Sequence, residues 1–226
     1  MRRIGLIVAM QKEWDAIFTQ YEREGRQYAF MQTFAFDECV ALLSGIGKVN
    51  AAVCAYQLIK EHYVDEILSF GCAGGMTNSV SVGDVIVGDT YCYHDVWCGE
   101  PNERGQVQGA PMIFPSNWKE WEWLCEGCEH GLIATGDSLC DNEIMASAIV
   151  QILGMNPIAV DMESAAIAQV CFKYGIPFTS VRVISDNPLL GRHADEYKDF
   201  WARKDKTLEV LMRKLIEEPH EGNRKL

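Results

Sequence analysis

Apolar residues gather in short runs, at 4–9, 39–43, 65–70, 130–135 and 178–184, each bounded by polar or glycine-bearing segments. Runs this short and this rich in Val, Ile and Leu fit strands buried in a sheet. Between them the period changes: residues 11–17, 49–62, 142–154 and 161–174 read as helices, and 197–218 carries a stripe of Phe200, Leu208, Leu211, Leu215 and Ile216. Loose alternation over 27–39 predicts antiparallel edge strands, and 82–87 and 90–95 predict two strands joined by a bend. Trp118 and Trp121, three residues apart, predict one helix face packed into a core. Strands alternating with helices imply a single-domain three-layer α/β/α fold with a mixed central sheet, spanning 1–218, with a polar tail at 219–226.

The stretch 159–186, AVDMESAAIAQVCFKYGIPFTSVRVISD, carries the most explicit signals. Asp161 is a candidate N-cap, the alanines favour helix, and Gly175 with Pro177 two residues on marks the stop. β-Branched and aromatic residues from Phe178 onward predict a strand that runs out on Ser185-Asp186. In an α/β sheet, ligands bind outside the carboxyl ends of strands. Glu163 and Asp186 sit beside such ends, and so does Glu13, just past the run at 4–9. Each has a plainer reading, Glu163 as a first-turn acid complementing the helix macrodipole and Asp186 as a turn residue ahead of Asn187-Pro188.

Glycine-bearing segments also follow strands. Ser44-Gly45-Ile46-Gly47-Lys48 opens a helix, where free backbone N–H groups suit an anion or a hydroxyl, and a tight strand-to-helix turn accounts for it equally well. It lacks the third glycine of a dinucleotide fingerprint and has no Walker spacing, so no nucleotide cofactor is expected. Gly71-Cys72-Ala73-Gly74-Gly75 favours close approach of a ligand to the backbone, and Gly136-Asp137-Ser138 closes a strand in a similar way. Residues 99–109, GEPNERGQVQG, form a polar excursion of a length that usually serves a binding site or an interface.

Composition narrows the function classes. An apolar content of 48% and a charged content of 23% in 226 residues describe a globular chain. A net charge of −12 argues against nucleic acid, which needs clustered Lys and Arg, and favours a small neutral or cationic partner. No apolar run approaches the roughly 20 residues that span a bilayer. Met1-Arg2-Arg3 leads straight into a strand-like run rather than a signal peptide, which predicts a cytoplasmic protein without a membrane partner. The nine cysteines, odd in number and scattered, read as buried thiols in a reducing compartment. Cys125-Glu126-Gly127-Cys128 has C-x-x-C spacing but no second pair, so packed free thiols are expected there and no metal.

Taken together, the segments IGLIVAMQKE (4–13), SGIGKVNAA (44–52), FGCAGGM (70–76), VGDVIVGD (82–89), YHD (93–95), GLIATGD (131–137), VDMESAAIAQVC (160–171) and VRVISDN (181–187) resemble the nucleoside phosphorylase and nucleosidase superfamily. They are most similar to the 5′-methylthioadenosine/S-adenosylhomocysteine nucleosidases and stand in that family's order. The resemblance implies a homodimeric hydrolase of methionine salvage that cleaves the N-glycosidic bond of a purine nucleoside and needs no cofactor or metal. It implies Asp186 as the general acid that protonates the purine at N7, and Glu13 as the base that orients and deprotonates the attacking water. Glu163 is implied to hold the ribose hydroxyls beside the apolar contact of Met162, with Cys72, Ala73, Gly74, Ser138, Leu139 and Cys140 lining the substrate pocket. Carboxylates around the sugar stabilise the positive charge that develops as the bond breaks.

The chain departs from that pattern in three places. Ser138-Leu139-Cys140 replaces a small, an aromatic and an aliphatic residue beside the purine, Cys72 replaces a serine, and residues 99–109 replace an aromatic loop that reaches toward the neighbouring subunit's 5′-substituent pocket. Two competing readings follow: a phosphate-dependent nucleoside phosphorylase, and a non-catalytic nucleoside-binding or storage protein of the same fold. Phosphorolytic relatives carry an arginine where this chain has Ser69, and Lys12 is the one residue in the Gln11-Lys12-Glu13 segment that suits phosphate.

Overall fold

In the computed structural model, which describes residues 2–18, 33–36, 39–191, 193–203 and 206–217, nine strands form one mixed sheet. They are β1 (Ile4–Val8), β2 (Thr33–Phe36), β3 (Cys39–Leu43), β4 (Glu66–Gly75), β5 (Val85–Tyr93), β6 (Phe114–Pro115), β7 (Glu129–Thr135), β8 (Ala159–Asp161) and β9 (Phe178–Asp186). Six α-helices accompany them: α1 (Gln11–Phe18), α2 (Lys48–Glu61), α3 (Glu143–Leu153), α4 (Ser164–Tyr174), α5 (His193–Ala202) and α6 (Thr207–Glu217). The expected tail at 219–226 lies outside the described residues, as does most of the stretch 27–39 apart from β2 and the first residue of β3.

The strand order is β2-β3-β1-β4-β8-β7-β5-β6, and β9 pairs with both β4 and β5. β1 runs parallel to β3 and β4, and β9 is parallel to β4 but antiparallel to β5. Because β9 bridges β4 and β5, the strands β4, β8, β7, β5 and β9 close into a ring within the larger sheet.

Side chains alternate faces along a strand, so an all-apolar strand needs cover on both sides. In β1, Ile7 faces a core built from α2 and α4, including Ala51, Ala55, Leu58, Ala165 and Ala168. Leu6 and Val8 face the opposite core, which holds Trp14, Ile17 and Phe18 of α1 with Leu208, Leu211, Met212 and Leu215 of α6. Alanines on α2 and α4 let those two helices pack against each other as well as on the sheet.

Four expectations change. The run at 65–70 continues as strand to Gly75, so the glycine segment is part of the strand, paired with β9, instead of following its carboxyl end. The two strands expected at 82–87 and 90–95 are the single strand β5, with a register irregularity between Gly88 and Thr90. Residues 118–125 form a 3₁₀ rather than an α-helix, which still sets Trp118 and Trp121 against one apolar core as expected; Trp121 is buried and donates Nε1–H to Glu66 Oε1 at 2.8 Å, while Trp118 also stacks on His130 at 4.3 Å. The long helix expected at 197–218 is two helices, because α5 packs on β9 while α6 packs on α1, and one straight rod cannot serve both.

Candidate active site

Beyond the ends of β1, β8 and β9 lies a cavity of about 300 Å³, within the range of small-molecule sites. Every residue expected at the site borders it: Glu13, Glu163 and Asp186, with Met162, Cys72, Ala73, Gly74, Ser138, Leu139 and Cys140. The three carboxylates arrive by different routes. Glu13 lies in the first turn of α1, directly after β1, Glu163 follows β8, and Asp186 is the last residue of β9. β8 meets β4 antiparallel, yet it pairs only with Gly74 and Gly75, so its carboxyl end still reaches the cavity.

Glu13 is buried, and its carboxylate accepts Met10 N–H at 2.9 Å and Cys72 N–H at 2.7 Å. Burial raises its pKa, and those backbone donors oppose the rise. Gly71 makes the fit possible, because a Cβ there would stand 2.8 Å from Glu13 Oε1. The glycine segment thus admits a side chain of the protein as closely as it was expected to admit a ligand.

Glu163 corrects the expectation for its own helix. α4 begins at Ser164, so Glu163 occupies the N-cap position and makes no cap bond with its side chain. Asp161 does that work from the end of β8, accepting Ser164 N–H at 3.2 Å on each oxygen. Freed from its own helix, the Glu163 carboxylate accepts Gly47 N–H at 3.0 Å, at the start of α2. The next donor, Lys48 N–H, goes to Asp137 Oδ1 at 2.8 Å, and the Lys48 ammonium pairs with Asp95 at 2.7 Å. The helix N-terminus that suited an outside anion is therefore occupied by carboxylates of the chain itself.

Arg182, which the sequence reading passed over, sits behind these groups, 2% exposed. It donates from Nη2 and Nε to Asp161 Oδ2 at 2.9 and 3.1 Å, and from Nη1 to the Ser69 carbonyl and hydroxyl at 3.1 Å each. Asp161, Glu163 and Glu13 all act on this one guanidinium. A single cation cannot balance three buried carboxylates, and the Glu163 pKa is driven upward, by burial first and by the Asp161 charge second. Asp186 also lies above its ordinary range through burial, against hydrogen bonds from Ser185 and His193. Its Oδ1 accepts Ser185 Oγ–H at 2.6 Å and its Oδ2 contacts His193 Nδ1.

Met10, Ile46, Ser185 and Tyr197 also border the cavity and were not expected there. Tyr197 lies on α5, stacks against His193 at 5.8 Å and brings the ring that the Ser138-Leu139-Cys140 segment lacks; Leu139 itself is 58% exposed. Among the described residues no group of three or more His, Cys, Asp or Glu side chains is arranged to hold a metal ion.

A family model of the phosphorylase superfamily matches residues 3–217. The chain belongs to the phosphorylase superfamily. Within it, a protein of Marinomonas sp. named 5′-methylthioadenosine/S-adenosylhomocysteine nucleosidase is 35% identical over 204 residues, 82% of this chain and 86% of the relative. One of the same name from Bacillus cytotoxicus is 39% identical over 66% of this chain and 68% of its own. The crystal structure of the nucleosidase of that name from Neisseria meningitidis, in complex with methylthio-immucillin-A, matches with a TM-score of 0.83 and 28% identity, covering 96% of this chain and all (100%) of that one.

For this superfamily member, Gly71→Ala should act through Glu13 alone. The strand backbone tolerates alanine, but the added Cβ displaces the carboxylate from Cys72 N–H. Turnover on a purine nucleoside is expected to fall by about 10² while the melting temperature stays close to wild type. Steady-state rates and thermal unfolding check this, and unchanged turnover would refute the positioning argument.

Proposed function

We propose that the protein is a nucleosidase that hydrolyses the N-glycosidic bond of a 5′-modified purine nucleoside, such as 5′-methylthioadenosine or S-adenosylhomocysteine, to free base and pentose. The observation that carries the reading is the convergence of Glu13, Glu163 and Asp186 on one cavity whose neighbouring helix N-terminus is already filled by carboxylates. A site of that sign suits a sugar gaining positive charge. Asp186, protonated at higher pH than an ordinary aspartate, gives its proton to N7 of the base, and the glycosidic electron pair leaves with it. Glu13 takes a proton from the water that attacks C1′, and Glu163 holds the ribose hydroxyls beside Met162. Cys72 supports this through its backbone N–H on Glu13, and the hydroxyl beside the acid comes from Ser185. The names of the relatives support the same substrate class. Release of free base from a panel of 5′-modified and unmodified nucleosides tests the reading, and silence across the panel favours the storage-protein alternative.

In this reading the enzyme serves methionine salvage in the cytoplasm. Its nine free cysteines suit a reducing compartment, and no helix among the described residues is long and apolar enough to cross a membrane. The enzyme is a homodimer whose interface uses residues 99–114, where Ile113 and nearby Trp97 keep 38% and 45% of their surface exposed. Light scattering at micromolar concentration is expected to give twice the 25.4 kDa chain mass, and a monomer would refute the interface.

A further inference from the structure

The catalytic carboxylate has a neighbour that the hydrolysis described above leaves unused. His193, the first residue of α5, is buried among the site residues with its Nδ1 on Asp186 Oδ2. The ring is held in that orientation by Tyr197 one turn later, stacked at 5.8 Å with an interplanar angle of 22°. Ser185 Oγ occupies the other Asp186 oxygen. Of the two side chains, the imidazole keeps 10% of its surface accessible and the carboxylate only 4%.

These contacts matter because the reaction leaves a proton debt at one place. In each turnover Asp186 loses a proton to the base and Glu13 gains one from water, so the next cycle needs a proton returned to Asp186. Once a base lies over the cavity face of Asp186, that face is closed to water, and the buried carboxylate has little other exposure. The histidine is the only ionisable side chain bonded to Asp186 among the described residues.

We propose that His193 is the proton relay of Asp186: imidazolium Nδ1–H passes its proton to the spent carboxylate, and Nε2 recovers one from solvent. This rests on the nucleosidase reading and adds to it a positioning residue outside the substrate cavity. The N–H bond breaks as the O–H bond forms, the histidine ends neutral, and the proton later shed by Glu13 to solvent closes the cycle without any other reactant. The titratable groups around the pair are Glu196 and Tyr197 on α5, Cys140 after β7, Cys72 on β4 and Glu13 on α1. Glu196 is itself engaged, accepting Asn187 N–H at 2.9 Å.

The test compares His193→Gln and His193→Asn with wild type on two substrates. One is 5′-methylthioadenosine; the other is p-nitrophenyl 5-methylthioriboside, whose phenolate departs without protonation. Asparagine places an amide N–H near the Nδ1 position, so it keeps the hydrogen bond but cannot carry a proton. Both variants are expected to lose about 10-fold or more in kcat on the purine substrate, with a changed alkaline limb in the pH profile, and to keep near-normal kcat on the phenolate. Imidazole in the buffer is expected to restore part of the rate. Equal losses on both substrates would mean a structural role and overturn the relay, as would full purine turnover in His193→Asn. Independently of any turnover, a downfield proton resonance from the His193–Asp186 pair is expected in wild type and absent in His193→Gln; its absence from wild type also overturns the proposal. Wild-type protein that cleaves neither substrate would sink the nucleosidase reading, while the resonance still decides whether the pair exists.

Discussion

Asp186→Asn is expected to keep the fold and to lower turnover on a purine nucleoside by at least about 10²-fold. Asparagine fills the same volume at the end of β9 and its carbonyl still accepts the Ser185 hydroxyl, so packing around the buried side chain is preserved. It cannot give a full proton to N7, and the base then has to leave as an anion. Circular dichroism reads the fold and a base-release assay reads the rate; near-normal turnover would remove Asp186 from the role of acid. The variant also has a stability signature. Burial raises the folded-state pKa of Asp186 above its unfolded value of about 3.9, so the folded state binds more protons between the two values. Stability from that group is present below the unfolded pKa and is lost as pH rises through the raised one. Urea unfolding should therefore show wild type losing stability relative to Asp186→Asn as pH increases across that window.

The three carboxylates were legible because each follows a recognisable apolar run, and position after a strand is a property of the sequence. Arg182 was not. It stands in VRVIS, where a lone charge among β-branched residues looks like the solvent face of an alternating strand, yet all of β9 is buried. The available signal was that Val181, Val183 and Ile184 crowd it on both sides, which leaves no exposed face; the partner, Asp161, was read only as a cap. The ring closed by β9 was equally hidden, since pairing with β4 on one edge and β5 on the other is a property of the whole sheet. The break between α5 and α6 is not announced by any glycine or proline at 203–206; what separates the two helices is that α5 packs on β9 and α6 on α1. Tyr197 and His193 reach the site only because α5 folds back over β9, a contact that no local period encodes.

Adding phosphate is expected to leave the rate where it was, because water, not phosphate, attacks the sugar. Binding a phosphate dianion beside C1′ needs free cations and aligned donors. The first two donors at the start of α2 are already taken, Gly47 N–H by Glu163 and Lys48 N–H by Asp137. Among the described residues the candidate cations are taken too. Lys48 is paired with Asp95, Lys12 lies over the Trp201 ring at 5.6 Å, and Arg182 is held by Asp161 and by Ser69, the position where phosphorolytic relatives have an arginine of their own. What faces the cavity instead is Glu13. At an effective dielectric constant of about 20, two unit charges 4 Å apart interact by about 4 kcal/mol, so a dianion beside one ionised carboxylate meets roughly twice that in repulsion. The same carboxylate is placed to take a proton from water. Incubation with 5′-methylthioadenosine in ¹⁸O-labelled water is expected to release adenine and a labelled free pentose at a rate indifferent to phosphate. Glu13→Gln is expected to lose at least about 10² of that rate, because the amide can position the water but not deprotonate it. A pentose 1-phosphate product, formed only when phosphate is present, would overturn the hydrolase assignment and leave the glycosidic-bond chemistry to a phosphate site built from residues other than these.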